Sequence, residues 1–157
     1  MGIRVSLLRM SMISLALGGV LTACGSNSAY TYNDAAPAIS ALSQSMATAT
    51  TNGDVPADPA YTIVSGVDTT FVFTSYFNSP YTLNGSLTEV TASSTINGTI
   101  NFTGGSVTQI VYTNVVESPP SGTYQITFSG QGLVYVHNLA TQTFTLRGSN
   151  VMTSGKV

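Results

Sequence analysis

From Tyr61 to the end of the chain, short runs of Val, Ile, Thr, Tyr and Phe alternate with Gly, Asn, Ser and Pro. The first group of residues favours β-strands and the second favours turns. The connections are too short for the crossover helices that parallel strands require, so we expect an antiparallel sheet, mostly a meander. The eight predicted strands are Tyr61–Ser65, Thr69–Phe77, Tyr81–Val90, Ser94–Thr103, Val107–Glu117, Thr123–Ser129, Leu133–His137 and Thr143–Arg147.

Within several of these segments apolar and polar side chains alternate, which predicts a sheet with one buried face and one hydrated face. The apolar positions that share a face are Tyr81, Leu83 and Leu87, then Ile96, Ile100 and Phe102, then Tyr124, Ile126 and Phe128, and finally Phe144 and Leu146. The opposite positions are Thr, Ser, Asn and Gln.

An internal repeat lies in the third and fourth predicted strands. Thr82-Leu83-Asn84-Gly85-Ser86-Leu87 recurs thirteen residues later as Thr95-Ile96-Asn97-Gly98-Thr99-Ile100. An Asn-Gly pair is typical of a hairpin turn, but turns here would leave strands of only about three or four residues. We prefer to place Gly85 and Gly98 within strands, on a concave face, where a missing side chain lets the sheet bend or bulge. This interpretation predicts a strongly curled sheet, and the hairpin remains the alternative.

One helix is predicted before the sheet. Asp34 is a favourable N-cap and Pro37 is tolerated in a first turn. The apolar positions at helical spacing are Ala35, Ala38, Ile39, Leu42 and Met46. Asn52-Gly53 ends the helix, and a linker with two Pro follows. We therefore expect an α+β fold, with one N-terminal helix packed on a curled antiparallel meander of about 7–8 strands, as a half-barrel or small barrel.

The first 24 residues have the organisation of a secretory leader. Arg4 and Arg9 precede an apolar run of about a dozen residues, which is shorter than the roughly 20 needed to span a bilayer. The run is followed by Leu21-Thr22-Ala23-Cys24, which closely resembles the lipobox of bacterial lipoproteins. The alternative is an ordinary secreted protein with a single Cys.

In the lipoprotein family the Cys thiol receives a diacylglycerol, a dedicated peptidase cuts before it, and the new amine is usually acylated. The resemblance therefore implies a signal peptide at residues 1–23 and a palmitate-type lipid anchor on Cys24. Beyond the resemblance, the small polar residues after Cys24 predict a tether at 24–33, and the helix and strand pattern predicts a single domain at 34–157. Gly25 lacks the Asp that retains enterobacterial lipoproteins in the inner membrane, so the resemblance further implies the outer membrane.

Charged residues make up only 6% of the chain, against about 25% in an average soluble protein, and 20 Ser and 23 Thr take much of their place. The net charge of -2 argues against a nucleic-acid partner. After cleavage before Cys24, two basic side chains remain against six acidic ones, a formal charge of -4. Such a domain is not attracted to anionic headgroups, so the expected membrane attachment is the lipid on Cys24.

Catalytic and metal-binding patterns are sparse. With one His and one Cys, no His/Cys metal cluster forms within one chain, and we expect no cofactor. Asp54 and Asp58 lack calcium-loop spacing, and Glu89 and Glu117 lie on elements with no other polar chemistry. His137, at a predicted strand end, has no partner motif, so we expect it to be structural.

Three functions of different classes remain. We favour a non-catalytic envelope lipoprotein that works by contact, in structure, assembly or adhesion, with a possible protein partner in the envelope. The alternative is a carrier of a lipid or other apolar ligand, which would need a cavity larger than about 300 Å³ between helix and sheet. The third is a small hydrolase, which would need a carboxylate or hydroxyl within hydrogen-bond reach of His137.

Overall fold

The computed structural model describes residues 32–52, 61–130, 132–148 and 151–156. One helix, α1 (Tyr32–Asn52), precedes nine strands. The strands are β1 (Tyr61–Ser65), β2 (Thr69–Asn78), β3 (Tyr81–Val90), β4 (Thr95–Thr103), β5 (Val107–Glu117), β6 (Pro120–Phe128), β7 (Val134–Asn138), β8 (Thr143–Gly148) and β9 (Val151–Lys156).

The nine strands form one antiparallel sheet in which every strand pairs with its neighbours in sequence. This confirms the α+β class and the meander. The predicted number of strands is wrong, because a ninth strand, β9, pairs with β8. The pairing runs from Gly148 with Val151 to Thr143 with Lys156. The prediction of a small closed barrel is also wrong: the sheet is open, with β1 and β9 at its edges.

Two element boundaries differ from the predictions by more than one residue. The helix begins at Tyr32, so Asp34 lies in its first turn and Pro37 is its sixth residue. Strand β6 begins at Pro120, which pairs with Glu117, although the segment 119–122 has the composition of a turn. Pairing with the long β5 strand extends β6 into a segment whose Pro and Gly residues favour a turn.

The core lies between α1 and one face of the sheet, which we call the inner face. The predicted apolar sets on β3, β4, β6 and β8 are all buried there, which confirms the alternation. The buried helix residues are Ala35, Ala38, Ala41, Leu42, Ser45, Met46 and Ala49, and Ile39 packs against the core while partly buried. The helix contacts β1, β2, β3 and β5, so it covers mainly the N-terminal half of the sheet.

Two hairpins hold α1 through hydrogen bonds. Asn78, at the end of β2, donates from Nδ2 to the carbonyl oxygen of Ala41 at 3.0 Å and to Ser45 Oγ at 3.1 Å. Ser106, before β5, donates from Oγ to the carbonyl oxygen of Asp34 at 2.6 Å. These bonds fix the helix to the β2–β3 and β4–β5 hairpins.

Gly85 and Gly98 lie within β3 and β4, on the inner face, as preferred from the sequence. Their φ angles are +126° and +143°, a region that side chains rarely adopt. The pairing of β2 with β3 shifts register between Phe73 and Tyr76, beside Gly85, and that of β4 with β5 shifts between Ile96 and Gly98. The repeat therefore marks two bulges and no hairpin turn.

Candidate functional site

The predicted lipid site, Cys24, lies outside the described residues, as do the predicted signal peptide at 1–23 and the carboxylates Asp54 and Asp58. Two residues that the sequence assigns to the tether, Tyr32 and Asn33, belong to α1. The described residues offer two other features of functional interest: an outer face that carries charge only near its C-terminal edge, and a buried Tyr–His pair.

The outer face is the side of the sheet opposite the core. One row of paired residues crosses all nine strands, and the row consists of Thr62, Val72, Ser86, Thr99, Val111, Gln125, Val136, Thr145 and Ser154. Strands lie about 4.8 Å apart, so this row is roughly 38 Å long. Each of its members is uncharged and carries only methyl, hydroxyl or amide groups.

The next row contains a run of amides. Asn84, Asn101 and Gln109 pair in turn across β3, β4 and β5, and Gln109 Nε2 donates to Asn101 Oδ1 at 2.9 Å. On the other side of the long row, the hydroxyls of Thr70 and Thr88 lie 2.9 Å apart. The outer face is thus organised by hydrogen bonds between neutral groups.

Within the rows of paired residues described above, charged side chains lie on the outer face only near its C-terminal edge. Arg147 on β8 pairs with Val134 in the amide row, and Lys156 on β9 pairs with Thr143 on the other side of the long row. A further apolar group, Phe77, lies beside Thr82 at the end of β2 and is 68% exposed. The part of the face from β1 to β7 therefore presents neutral polar groups and valine side chains, together with the exposed ring of Phe77.

The second feature lies on the inner face at the end of β7. His137 is fully buried, and its Nδ1 lies 2.8 Å from the Tyr124 hydroxyl, with which it shares a hydrogen bond. Strand register places His137 between Tyr124 on β6 and Phe144 on β8. Its Nε2 has no hydrogen-bond partner among the residues that the structure describes.

Aromatic rings surround the imidazole. The Tyr124 ring meets it edge-on with centroids 5.1 Å apart, and the Tyr135 ring lies at 6.2 Å. Tyr135 in turn stacks on Phe144 at 5.7 Å. Burial among these rings lowers the pKa of His137 below its ordinary value, because the charged form loses hydration.

The Tyr124 hydroxyl is the kind of group that a hydrolase built on His137 would require. The pair has the hydrogen bond of an acid–base dyad, but a fully buried imidazole makes no contact with a substrate in this conformation. Sequence reasoning predicts a structural His137 and misses Tyr124. The sequence does contain a signal for this pair: in the alternation of apolar and polar residues, both residues lie on the apolar side of adjacent predicted strands.

The described carboxylates do not gather into a site. Glu89 on β3 and Glu117 on β5 are separated by β4, and Asp68 Oδ1 accepts a hydrogen bond from the Thr91 backbone at 3.0 Å. Burial raises the pKa of Glu89. Across residues 32–52, 61–130, 132–148 and 151–156, no three His, Cys, Asp or Glu residues are placed to hold a metal ion.

Among the same described segments, no helix combines the length and the apolar character needed to cross a membrane. Comparison of the chain with protein-family models, curated proteins and solved structures gave no match.

Proposed function

We propose that this chain is a bacterial envelope lipoprotein, held to the outer membrane by lipid on Cys24, and that its folded domain acts by contact, without catalysis. The leader and the lipobox-like Leu21-Thr22-Ala23-Cys24 support the anchor. The contact role rests on one observation: the outer face presents neutral hydroxyl, amide and methyl groups from β1 to β7, along the nine-residue row and in the residues beside it.

A face of this kind suits a partner that is recognised by hydrogen bonds and shape. Charged surfaces attract partners over about one Debye length, roughly 8–10 Å, whereas neutral amides and hydroxyls act only at contact distance. We therefore expect binding that depends little on salt. The bulges at Gly85 and Gly98 lead us to infer that the open sheet is curled, with this face on its convex side.

Mass spectrometry of protein purified from its native membrane tests the anchor. We expect loss of residues 1–23 and the added mass of acyl chains on Cys24. A Cys24→Ser variant should keep its leader and carry no lipid. An intact leader on native protein, or an unmodified Cys24 thiol, would contradict the proposal.

Photo-crosslinking in cells tests the contact role separately. A photoreactive amino acid at Thr99 or Gln125, both half-buried on the outer face, should give a discrete adduct that withstands a wash in high salt. The matched control is Thr141, an exposed residue in the β7–β8 turn, which should give none. Equal labelling from all three positions would contradict a specific contact face.

The mass spectra of the native protein also test the alternative function. A carrier of a lipid or other apolar ligand should purify with close to one equivalent of ligand per chain. Native protein that carries only its covalent acyl chains would favour the contact role.

A further inference from the structure

The buried imidazole of His137 has a preferred charge state. In the neutral ring only one nitrogen carries a proton, and the bond to the Tyr124 hydroxyl satisfies Nδ1 in either tautomer. In the imidazolium both nitrogens are donors, and the described residues give Nε2 no acceptor. The closed structure therefore favours the neutral ring.

The groups that face His137 from the adjacent strands carry no negative charge that would balance a protonated imidazole. Tyr124 faces it from β6, Tyr135 lies beside it on β7, and Phe144 faces it from β8. Both phenols are neutral in acid, since tyrosine ionises near pH 10. The nearest charged residue on these strands, Arg147, alternates to the outer face and has the wrong sign.

The contacts and hydrogen bonds of α1 are made mainly with the N-terminal half of the sheet rather than with strands β6–β8. Helix α1 contacts β1, β2, β3 and β5, and its polar bonds reach the β2–β3 and β4–β5 hairpins. Strands β7 and β8 are short, with five and six residues. Opening of β6–β8 therefore disrupts fewer of the helix contacts than opening of the N-terminal strands.

We propose that the Tyr124–His137 pair is an acid-sensitive latch: protonation of His137 opens β6, β7 and β8 while the strands beneath α1 stay folded. In the open form the imidazole is hydrated and takes up a proton below about pH 6.5. In the closed form burial lowers the pKa of His137, so the closed form binds fewer protons. The closed form therefore loses stability as pH falls below about 6.5, and the loss levels off below the pKa of the closed state.

His137 is the only histidine of the chain, so a single imidazole signal reports on the latch. The full chain in detergent micelles is titrated by NMR, and amide exchange is followed by mass spectrometry at pH 7.5 and 5.0. After correction for intrinsic rates, protection of β6–β8 should fall by more than about twofold in acid relative to β2–β4, because the open form takes up the proton at a higher pH than the closed form. The imidazole signal of the closed form should not titrate near pH 6.5.

His137→Gln is the matched variant, because its amide can still bond to Tyr124 and does not titrate. It should show less than a twofold change in relative protection between the two pH values. Should this variant fail to fold, the wild-type titration decides the question. A closed form that titrates near pH 6.5, a loss of protection shared equally by all strands, or the same acid response in His137→Gln would each overturn the latch.

Discussion

Asn84 and Asn97, equivalent residues of the two repeat copies, make the same hydrogen bond toward opposite neighbours of the β3–β4 pair. Asn84 Oδ1 accepts from the backbone N–H of Ser75 in β2, and Asn97 Oδ1 accepts from that of Asn114 in β5, both at 2.8 Å. Both donors lie in the left-handed region, with φ of 54° for Ser75 and 49° for Asn114. Each Asn thus binds a bulged residue that the strand ladder leaves without a regular partner.

Register explains why the two copies behave alike. Ser86 pairs with Thr99, its own counterpart in the repeat, so a local twofold axis passes between them. The same axis relates Gly85, opposite Ile100, to Gly98, opposite Leu87. The repeat therefore encodes a symmetric pair of bulges, one on each side of the β3–β4 hairpin.

Asn84→Ala and Asn97→Ala should each lower the free energy of unfolding by about 1 kcal/mol, because each removes one hydrogen bond to a strained backbone segment. The two bonds involve different strands, so the double variant should lose close to the sum. Urea denaturation measures all three values.

The controls are Asn84→Asp and Asn97→Asp, which keep an oxygen acceptor at the same position and should lose less than the Ala variants. Equal losses in the Asp and Ala variants would show that the side-chain bond to the bulge has no role.

Gly85→Ala should destabilise the fold by about 3 kcal/mol or more, and Gly98→Ala likewise. A Cβ at Gly85 would overlap the carbonyl oxygen of Thr99, and one at Gly98 would overlap that of Ser86. Both obstacles are backbone atoms, so neither can move aside without disturbing the β3–β4 pairing, and both glycines have a positive φ that strains any side chain.

Gly130→Ala is the matched control for these substitutions. Gly130 also has a positive φ, of 85°, but nothing lies within 4 Å of the position that an added methyl group would take. It should cost only about 1 kcal/mol, the conformational penalty alone. Thermal unfolding of the three variants separates the steric effect from the conformational one, and similar losses in all three would contradict the steric account.

Periodicity made much of this fold predictable. Runs of strand-favouring residues between turn residues gave β1, β3 and β5 with the bounds that the structure has, and alternation of apolar and polar residues placed Leu83, Ile100 and Ile126 in the core. The repeat predicted the bulges, because hairpin turns at its Asn-Gly pairs would have broken the alternation of buried and exposed positions around Gly85. These features are local, so a single segment contains the whole signal.

Features that depend on pairing between segments were not predictable in this way. Strand β9 has little apolar alternation and forms by pairing with β8. The hydrogen bond between His137 and Tyr124 depends on the register of β6 with β7, which composition does not specify. The bond from Asn78 to α1 depends on where the helix packs.

Asn78→Ala should weaken the attachment of α1 to the sheet and lower the free energy of unfolding by about 1–2 kcal/mol. The substitution removes both bonds from Nδ2, to the Ala41 carbonyl oxygen and to Ser45 Oγ. Amide exchange in α1 should rise more than exchange in β3 and β4. Asn101→Ala, on the exposed outer face, is the control and should leave α1 exchange unchanged; a rise of equal size there would contradict a specific anchor.

Glu89→Gln should stabilise the domain at pH 7 by about 0.5 kcal/mol or less, as expected for a partly exposed position. Burial raises the pKa of Glu89 above 4.5, so the native state binds a proton more readily than the unfolded chain and the ionised form is disfavoured in the fold. The wild type therefore gains stability relative to Glu89→Gln as pH falls through the raised pKa, and the difference should vanish below about pH 4.5. Urea denaturation between pH 4 and 8 measures this dependence, with Asp68→Asn as a control for loss of one negative charge. An advantage of Glu89→Gln that stays constant with pH, or that Asp68→Asn shares, would show that burial of the Glu89 carboxylate is not its cause.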